Sequence, residues 1–235
     1  MATIKAHLSF ALPSGSQIIS KRPVKGLCEV ILKIKDGNLP LYIALYVGND
    51  FVILGQMYSH KENIPQSQIG RIQAKTFKDF KAEIEKVVAI TYKPSPTPTH
   101  VVYMFTNPLC PCCHRAEGKI KQVANKYNVI LKMVFLPIHL SRGKDKEKAI
   151  EVVCRKLDLN AYLKRDWEKE NKTKEYQCKR GKQLIEDSIN LGEKLGVTGV
   201  PTFFLDNGSK VVGADIKKLE TALTKLIAGT PFHKK

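Results

Sequence analysis

His100-Val101-Val102-Tyr103-Met104-Phe105-Thr106-Asn107-Pro108-Leu109-Cys110-Pro111-Cys112-Cys113-His114 sets an apolar strand, His100 to Phe105, directly before a short loop and a cysteine pair. Beyond it Ala116, Ile120, Val123, Ala124 and Tyr127 share one helical face, and Val129 to Leu136 is apolar apart from Lys132, as expected of a strand buried on both sides. The unit is strand, helix, strand, with the cysteines at the start of the helix. Cys110 and Cys113, three residues apart across a first helical turn, stand at a separation a disulfide can bridge with little backbone movement. Unsatisfied N–H groups and the positive end of the helix dipole stabilise a thiolate at the first cysteine, and His114 adds positive charge beside it. Cys110 is then the attacking nucleophile and Cys113 the resolving thiol. Inert core cysteines are the bland alternative, and thiols placed at a helix start argue against it. Cys110, Cys112, Cys113 and His114 also offer metal ligands, but they are too close in sequence to surround a tetrahedral zinc ion, leaving two-coordinate Cu(I) as the metal reading.

Working outward, Lys93-Pro94-Ser95-Pro96-Thr97-Pro98 forbids regular structure and marks a domain boundary. Before it, Phe77, Phe80, Ile84, Val87 and Val88 recur at helical spacing between Thr76 and Ile90. Further upstream, Val30, Leu32 and Ile34 share a strand face, Asp36-Gly37 makes a turn, and Leu41 to Val47, Gly48-Asn49-Asp50 and Phe51 to Met57 read as a second hairpin. This small antiparallel sheet is short for an independent core, so dimerisation is its expected use. The expected division is residues 1–74 as an N-terminal dimerisation domain, 75–98 as linker helix and Pro-rich linker, and 99–235 as the catalytic domain. Downstream, residues 144 to 195 carry charged helical periodicity, Thr202 to Leu205 and Lys210 to Val212 flank the turn Asp206-Asn207-Gly208, and a last helix runs from about Ile216 to Ile227.

Composition narrows the classes. The formal charge of +17 comes from 39 basic residues scattered among acids, with no zinc-finger spacing and no aromatic-interleaved basic strip, so a basic solvated surface is expected and no nucleic-acid partner. No run reaches the roughly 18 apolar residues of a membrane span. The stretch from Met1 to His7 and Ser9 is too short and broken for a signal-peptide core, so if the protein is exported the signal is expected to have been removed.

One more motif, Gly196-Val197-Thr198-Gly199-Val200-Pro201-Thr202, leads into the late hairpin. Alone, its proline reads as an ordinary loop residue. Together with the strand and the Cys-x-x-Cys-His helix start, it resembles the thioredoxin fold as used by the DsbC/DsbG family of periplasmic disulfide isomerases. Pro23-Val24-Lys25-Gly26-Leu27, the two hairpins and Gly55-Gln56-Met57-Tyr58 are similar to that family's cystatin-like dimerisation domain.

The resemblance implies an α+β architecture: a C-terminal thioredoxin-like fold with a helical insertion, joined by a linker helix to the N-terminal sheet. It implies that Pro201 is a cis proline, that Val200 contacts substrate, and that Cys154 and Cys178 form a structural disulfide in the insertion; two free thiols are the other reading of that pair. It further implies a periplasmic homodimer acting on misoxidised proteins, kept reduced by a membrane reductase of the DsbD type, with no cofactor. The dipeptide Pro111-Cys112 departs from the Gly-Tyr type of the best-known isomerases, which leaves a dithiol oxidase beside the isomerase reading. Cys28 is expected to be a buried apolar residue, and Cys112 a third thiol whose neighbour Cys113 is too close for an unstrained bridge.

Overall fold

The computed structural model describes residues 15–36, 39–55, 57–59, 62–137 and 143–229; the opening Met1 to Ser9 stretch, Gly37 and Gln56 lie outside them. The chain divides into two compact units, with the boundary in the sequence between Ile72 and Gln73.

The first unit is a four-stranded antiparallel sheet in the order β1 (Gln17–Val24), β2 (Leu27–Asp36), β3 (Leu39–Val47), β4 (Val52–Leu54). Side chains alternate between faces with period two. Val30, Leu32, Ile34 and Leu45 form one cluster, joined by the partly buried Cys28, while Ile31, Ala44 and Tyr46 form another with Ile69. Pairing of Arg22 with Glu29 across β1 and β2 locks the register: the buried Glu29 carboxylate accepts from Arg22 Nε at 2.6 Å and from the Tyr46 hydroxyl at 3.3 Å. Two short strands follow, β5 (Tyr58–Ser59) and β6 (Glu62–Asn63).

The sequence reading starts the linker helix at Thr76, whereas α1 runs over Ile64–Asp79 and a second helix, α2, over Lys81–Lys86. Pro65 occupies the first turn, where a missing N–H costs nothing. Residues assigned to the linker also supply β7 (Ile90–Tyr92), which pairs with the second unit's sheet.

That sheet has the order β11-β10-β8-β9-β7. Its centre is β8 (His100–Thr106) beside β9 (Val129–Phe135), parallel, joined by α3 (Pro111–Tyr127). The insertion comprises α4 (Lys144–Arg155), α5 (Leu159–Lys164), α6 (Asp166–Lys169) and α7 (Lys179–Lys194). The chain closes with β10 (Thr202–Leu205), β11 (Lys210–Val212) and α8 (Ile216–Ile227). Alternation along β8 divides the core. Val102 and Met104 join Ala116, Ile120 and Leu219, while Tyr103 and Phe105 join Phe77, Ile84, Leu191, Cys110 and Cys113. The thiols therefore sit at the edge of the second apolar cluster, where a helix begins.

Candidate active site

Asn107 shapes the loop that delivers the cysteines. Its side-chain oxygen accepts from Leu109 N–H at 3.1 Å and its carbonyl accepts from Cys110 N–H at 3.0 Å, while Nδ2 donates to the buried Asp145 carboxylate at 2.8 Å. The active-site loop is thus anchored to the first helix of the insertion. Cys110 is the N-cap of α3, in extended conformation, and Pro111 follows at the first helical position with its φ already set for the helix. The first-turn N–H groups, unsatisfied by any helical carbonyl, face this end.

The two thiols differ in surroundings. Cys110 is 6% exposed and its thiol donates to the Val200 carbonyl at 3.7 Å. This carbonyl belongs to the loop before β10, and the Val200-Pro201 peptide is cis. Thr202 Oγ1 donates to the Gly199 carbonyl at 2.6 Å, and Gly213 N–H donates to the Pro201 carbonyl at 2.8 Å, fastening the loop on both sides. Cys113 is fully buried. Burial pushes its thiol up well above the usual range, opposed by contacts from Thr106 and the Asn107 backbone and reinforced by Cys110. Cys112 is partly buried, with a guanidinium N–H of Arg115 donating to its sulfur at 3.0 Å.

His114 donates through Nε2 to the Pro108 carbonyl, the same carbonyl that accepts from Arg165 at 2.8 Å. Beneath lies a buried acid that the sequence reading does not identify. Glu117 Oε1 accepts from the Thr106 hydroxyl at 2.7 Å and from the Tyr162 hydroxyl at 2.8 Å, and Oε2 lies 3.4 Å from Arg165. Burial raises its carboxyl, with the Thr106 and Tyr162 hydrogen bonds and the charges of His114 and Arg165 opposing the rise. Thr106 touches both the Cys113 thiol and this carboxylate, so the resolving cysteine is one hydroxyl away from a group that can hold a proton. Glu117 falls on the apolar stripe of α3, between Ala116 and Ile120. A carboxylate at that position is the signal that could have found it.

Cys154 and Cys178 are joined by a disulfide with Cα atoms 5.8 Å apart, linking the end of α4 to the start of α7. Among the described residues no three His, Cys, Asp or Glu side chains converge in a metal-binding arrangement, and His114 and Cys112 are turned to different neighbours, the Pro108 carbonyl and Arg115. No helix among the described residues is long and apolar enough to cross a membrane.

The sequence profile of the thioredoxin-like domain family matches residues 86–226. The thiol:disulfide interchange protein DsbC of Escherichia coli is 26% identical over 180 residues, covering 72% of this chain and 67% of its own. Among solved structures, a linker-deletion mutant of Proteus mirabilis ScsC superposes with a TM-score of 0.56 at 18% identity, covering 71% of this chain and 88% of that one. The thiol-disulfide exchange protein α-DsbA2 of Wolbachia pipientis gives 0.50 at 19% identity, covering 70% and 100%.

Proposed function

This chain belongs to the thioredoxin-like family and is a thiol-disulfide oxidoreductase of the Dsb and ScsC type, and we propose that it acts as a protein disulfide isomerase and reductase. The observation that carries this reading is the asymmetric pair: Cys110 at a helix N-terminus against the cis Val200-Pro201 carbonyl, with Cys113 buried behind it. The Cys110 thiolate attacks one sulfur of a substrate disulfide. That S–S bond breaks, the other substrate sulfur leaves as a thiolate, and a Cys110–substrate disulfide forms. Val200 pairs through its backbone with the bound chain, and Pro201 fixes its direction.

Two exits follow. A substrate thiolate can attack within the substrate and release Cys110 unchanged, which is isomerisation with no net electron transfer. Alternatively Cys113, as thiolate, attacks Cys110 Sγ, the substrate leaves reduced by two electrons, and a Cys110–Cys113 disulfide remains. The buried Cys113 is reluctant to ionise, which slows this second exit and gives the substrate in the mixed disulfide time to rearrange by the first. Regeneration requires an external dithiol, for which a DsbD-type membrane reductase is the proposed donor.

We also assign residues 1–74 to homodimerisation, 75–98 to the linker and 99–235 to catalysis, in a periplasmic setting. The Cys154–Cys178 bridge supports an oxidising compartment. Refolding of a scrambled-disulfide substrate tests the core of the proposal. Cys110→Ser should abolish it, and Cys113→Ser should accumulate a mixed disulfide visible by mass. A strongly oxidising Cys110/Cys113 potential without isomerase activity would replace this reading with an oxidase.

A further inference from the structure

The turn between α5 and α6 is a single residue, Arg165, at φ 58° and ψ 16°. Helix ends that turn left-handed usually carry glycine or asparagine, because a Cβ crowds the following carbonyl there. Here the position carries a guanidinium, which spans three acceptors. Nη2 donates to the Pro108 carbonyl at 2.8 Å, Nη1 lies 3.4 Å from Glu117 Oε2, and Nε donates to Glu168 at 3.1 Å. Glu168 steadies the fork from within its own helix, while the other two contacts leave the insertion for the active site. The base of the fork is rigid. Arg165 N–H and Trp167 Nε1 both donate to the Tyr162 carbonyl at 3.1 Å, and the buried Trp167 ring stacks on the buried Tyr162 with centroids 6.0 Å apart.

Pro108 stands two residues before Cys110. The N–H groups of Leu109 and Cys110 are tied inward to Asn107, and the Pro108 carbonyl accepts from His114 as well as from Arg165. His114 belongs to the helix that Cys110 caps and moves with it. Arg165 comes from 57 residues further along the chain, on a turn outside that strand, loop and helix. From these contacts we infer that Arg165 is a positioning residue for Cys110: its planar fork bridges the Pro108 carbonyl and the Glu117 carboxylate, and so holds the cysteine loop in place against the Val200 carbonyl while a client disulfide is attacked. The inference rests on the proposed attack by Cys110 and adds the part of the chain that aims it. A lysine at 165 would carry the same charge as a point and could not bridge two separate acceptors, so charge and aim can be told apart.

The test uses the full chain as Cys113→Ser and a peptide whose one cysteine is disulfide-linked to 5-thio-2-nitrobenzoate. The Cys110 thiolate attacks the peptide sulfur, the nitrothiobenzoate leaves as a coloured thiolate, and a Cys110–peptide disulfide remains, mapped by mass. Arg165→Asn suits the left-handed turn but reaches neither acceptor. It should lower the maximal capture rate about tenfold and leave the half-saturating peptide concentration unchanged. Arg165→Lys should fall about threefold. Lys164→Asn, the same loss of charge at the exposed neighbouring residue, should keep the parent rate. Emission from Trp167, the chain's single tryptophan, reports that the turn is still in place. A second readout does not depend on the rate. The charge of Arg165 opposes the rise of the Glu117 carboxyl, so without it that carboxyl keeps its proton to higher pH. The fall of stability with rising pH should then extend further toward neutrality in Arg165→Asn, and Glu117→Gln should erase the difference between arginine and asparagine at 165. An undiminished rate in Arg165→Asn, complete recovery with lysine, an equal loss in Lys164→Asn, or an unaltered pH dependence of stability would each overturn the bridge and leave the thiol chemistry standing. Absence of any Cys110-linked product from the protein that retains Arg165 would sink the thiol reading, and the inference with it.

Discussion

Cys110 and Cys113 are three residues apart in sequence, yet one meets a loop carbonyl and the other a buried hydroxyl, and that difference governs the rates at which each reacts. Because burial holds Cys113 protonated, release of a trapped substrate from Cys110 should accelerate as pH rises through the alkaline range, about tenfold per pH unit until Cys113 ionises. Single-turnover release followed by acid quenching measures this, and a flat profile would mean that resolution is not limited by the Cys113 proton. Glu117 adds a second, opposite dependence. Its folded carboxyl holds a proton to higher pH than the usual 4.5, so the folded state binds more protons than the unfolded chain just above that value, and stability falls there as pH rises. Glu117→Gln keeps the acceptor for Thr106 and Tyr162 and should flatten the fall; urea unfolding of both proteins across the acidic to neutral range checks it. The dithiol was legible because its spacing is local. Glu117, Thr106, Asn107 with Asp145, and Arg165 were not, since each acts through a partner 10 to 60 residues away that no periodicity announces.

At the scale of elements, the insertion depends on close packing around its disulfide. A Cβ built on Gly181 would lie 2.5 Å from Cys154 Sγ and 3.2 Å from Cys178 Sγ, so only glycine lets the first turn of α7 approach the bridge. Gly181→Ala should therefore destabilise the oxidised protein by about 2 kcal/mol, and by less in a Cys154→Ala/Cys178→Ala background, where the sulfurs are gone. Equal losses in both backgrounds would assign the cost to α7 itself. The loop carrying Pro201 has its own titrating anchor in Lys210, whose ammonium burial lowers to about 8 from the usual 10.5. Between those values the unfolded chain still holds a proton that the folded chain has shed, so this residue makes stability rise with pH over that window. Lys210→Met should lose the rise, as read by denaturant unfolding at about pH 7.5 and about pH 10. Strands β2, β3 and β8 to β11 were legible from alternation or apolar runs. β1 was not, because Ser20, Lys21, Arg22 and Pro23 break its apolar pattern and its place is set by pairing with β2. The start of α1 was hidden by Pro65 and Gly70, which read as breakers but are tolerated in a helix held by packing of Ile69 and Phe77.

For the whole molecule, the unanswered question is why a catalytic unit carries a separate four-stranded sheet. That sheet ends in β4, a three-residue edge strand bearing Ile53 and Leu54, 46% and 56% exposed, with Phe51 just before it also exposed. Backbone that is unpaired among the described residues, beside apolar side chains, is a template for a second copy of the same strand. Two copies of a chain with formal charge +17 repel, so a dimer built on this edge should tighten as salt rises. Sedimentation velocity across the micromolar range at low and high salt measures this. Ile53→Asn/Leu54→Asn should weaken association at least tenfold, equivalent to about 1.4 kcal/mol, while leaving the secondary structure unchanged by circular dichroism. A wild-type chain that stays monomeric at both salt levels would remove the sheet's proposed role. A dimer insensitive to the double substitution would move the interface away from β4 and leave the exposed edge to be explained by another partner.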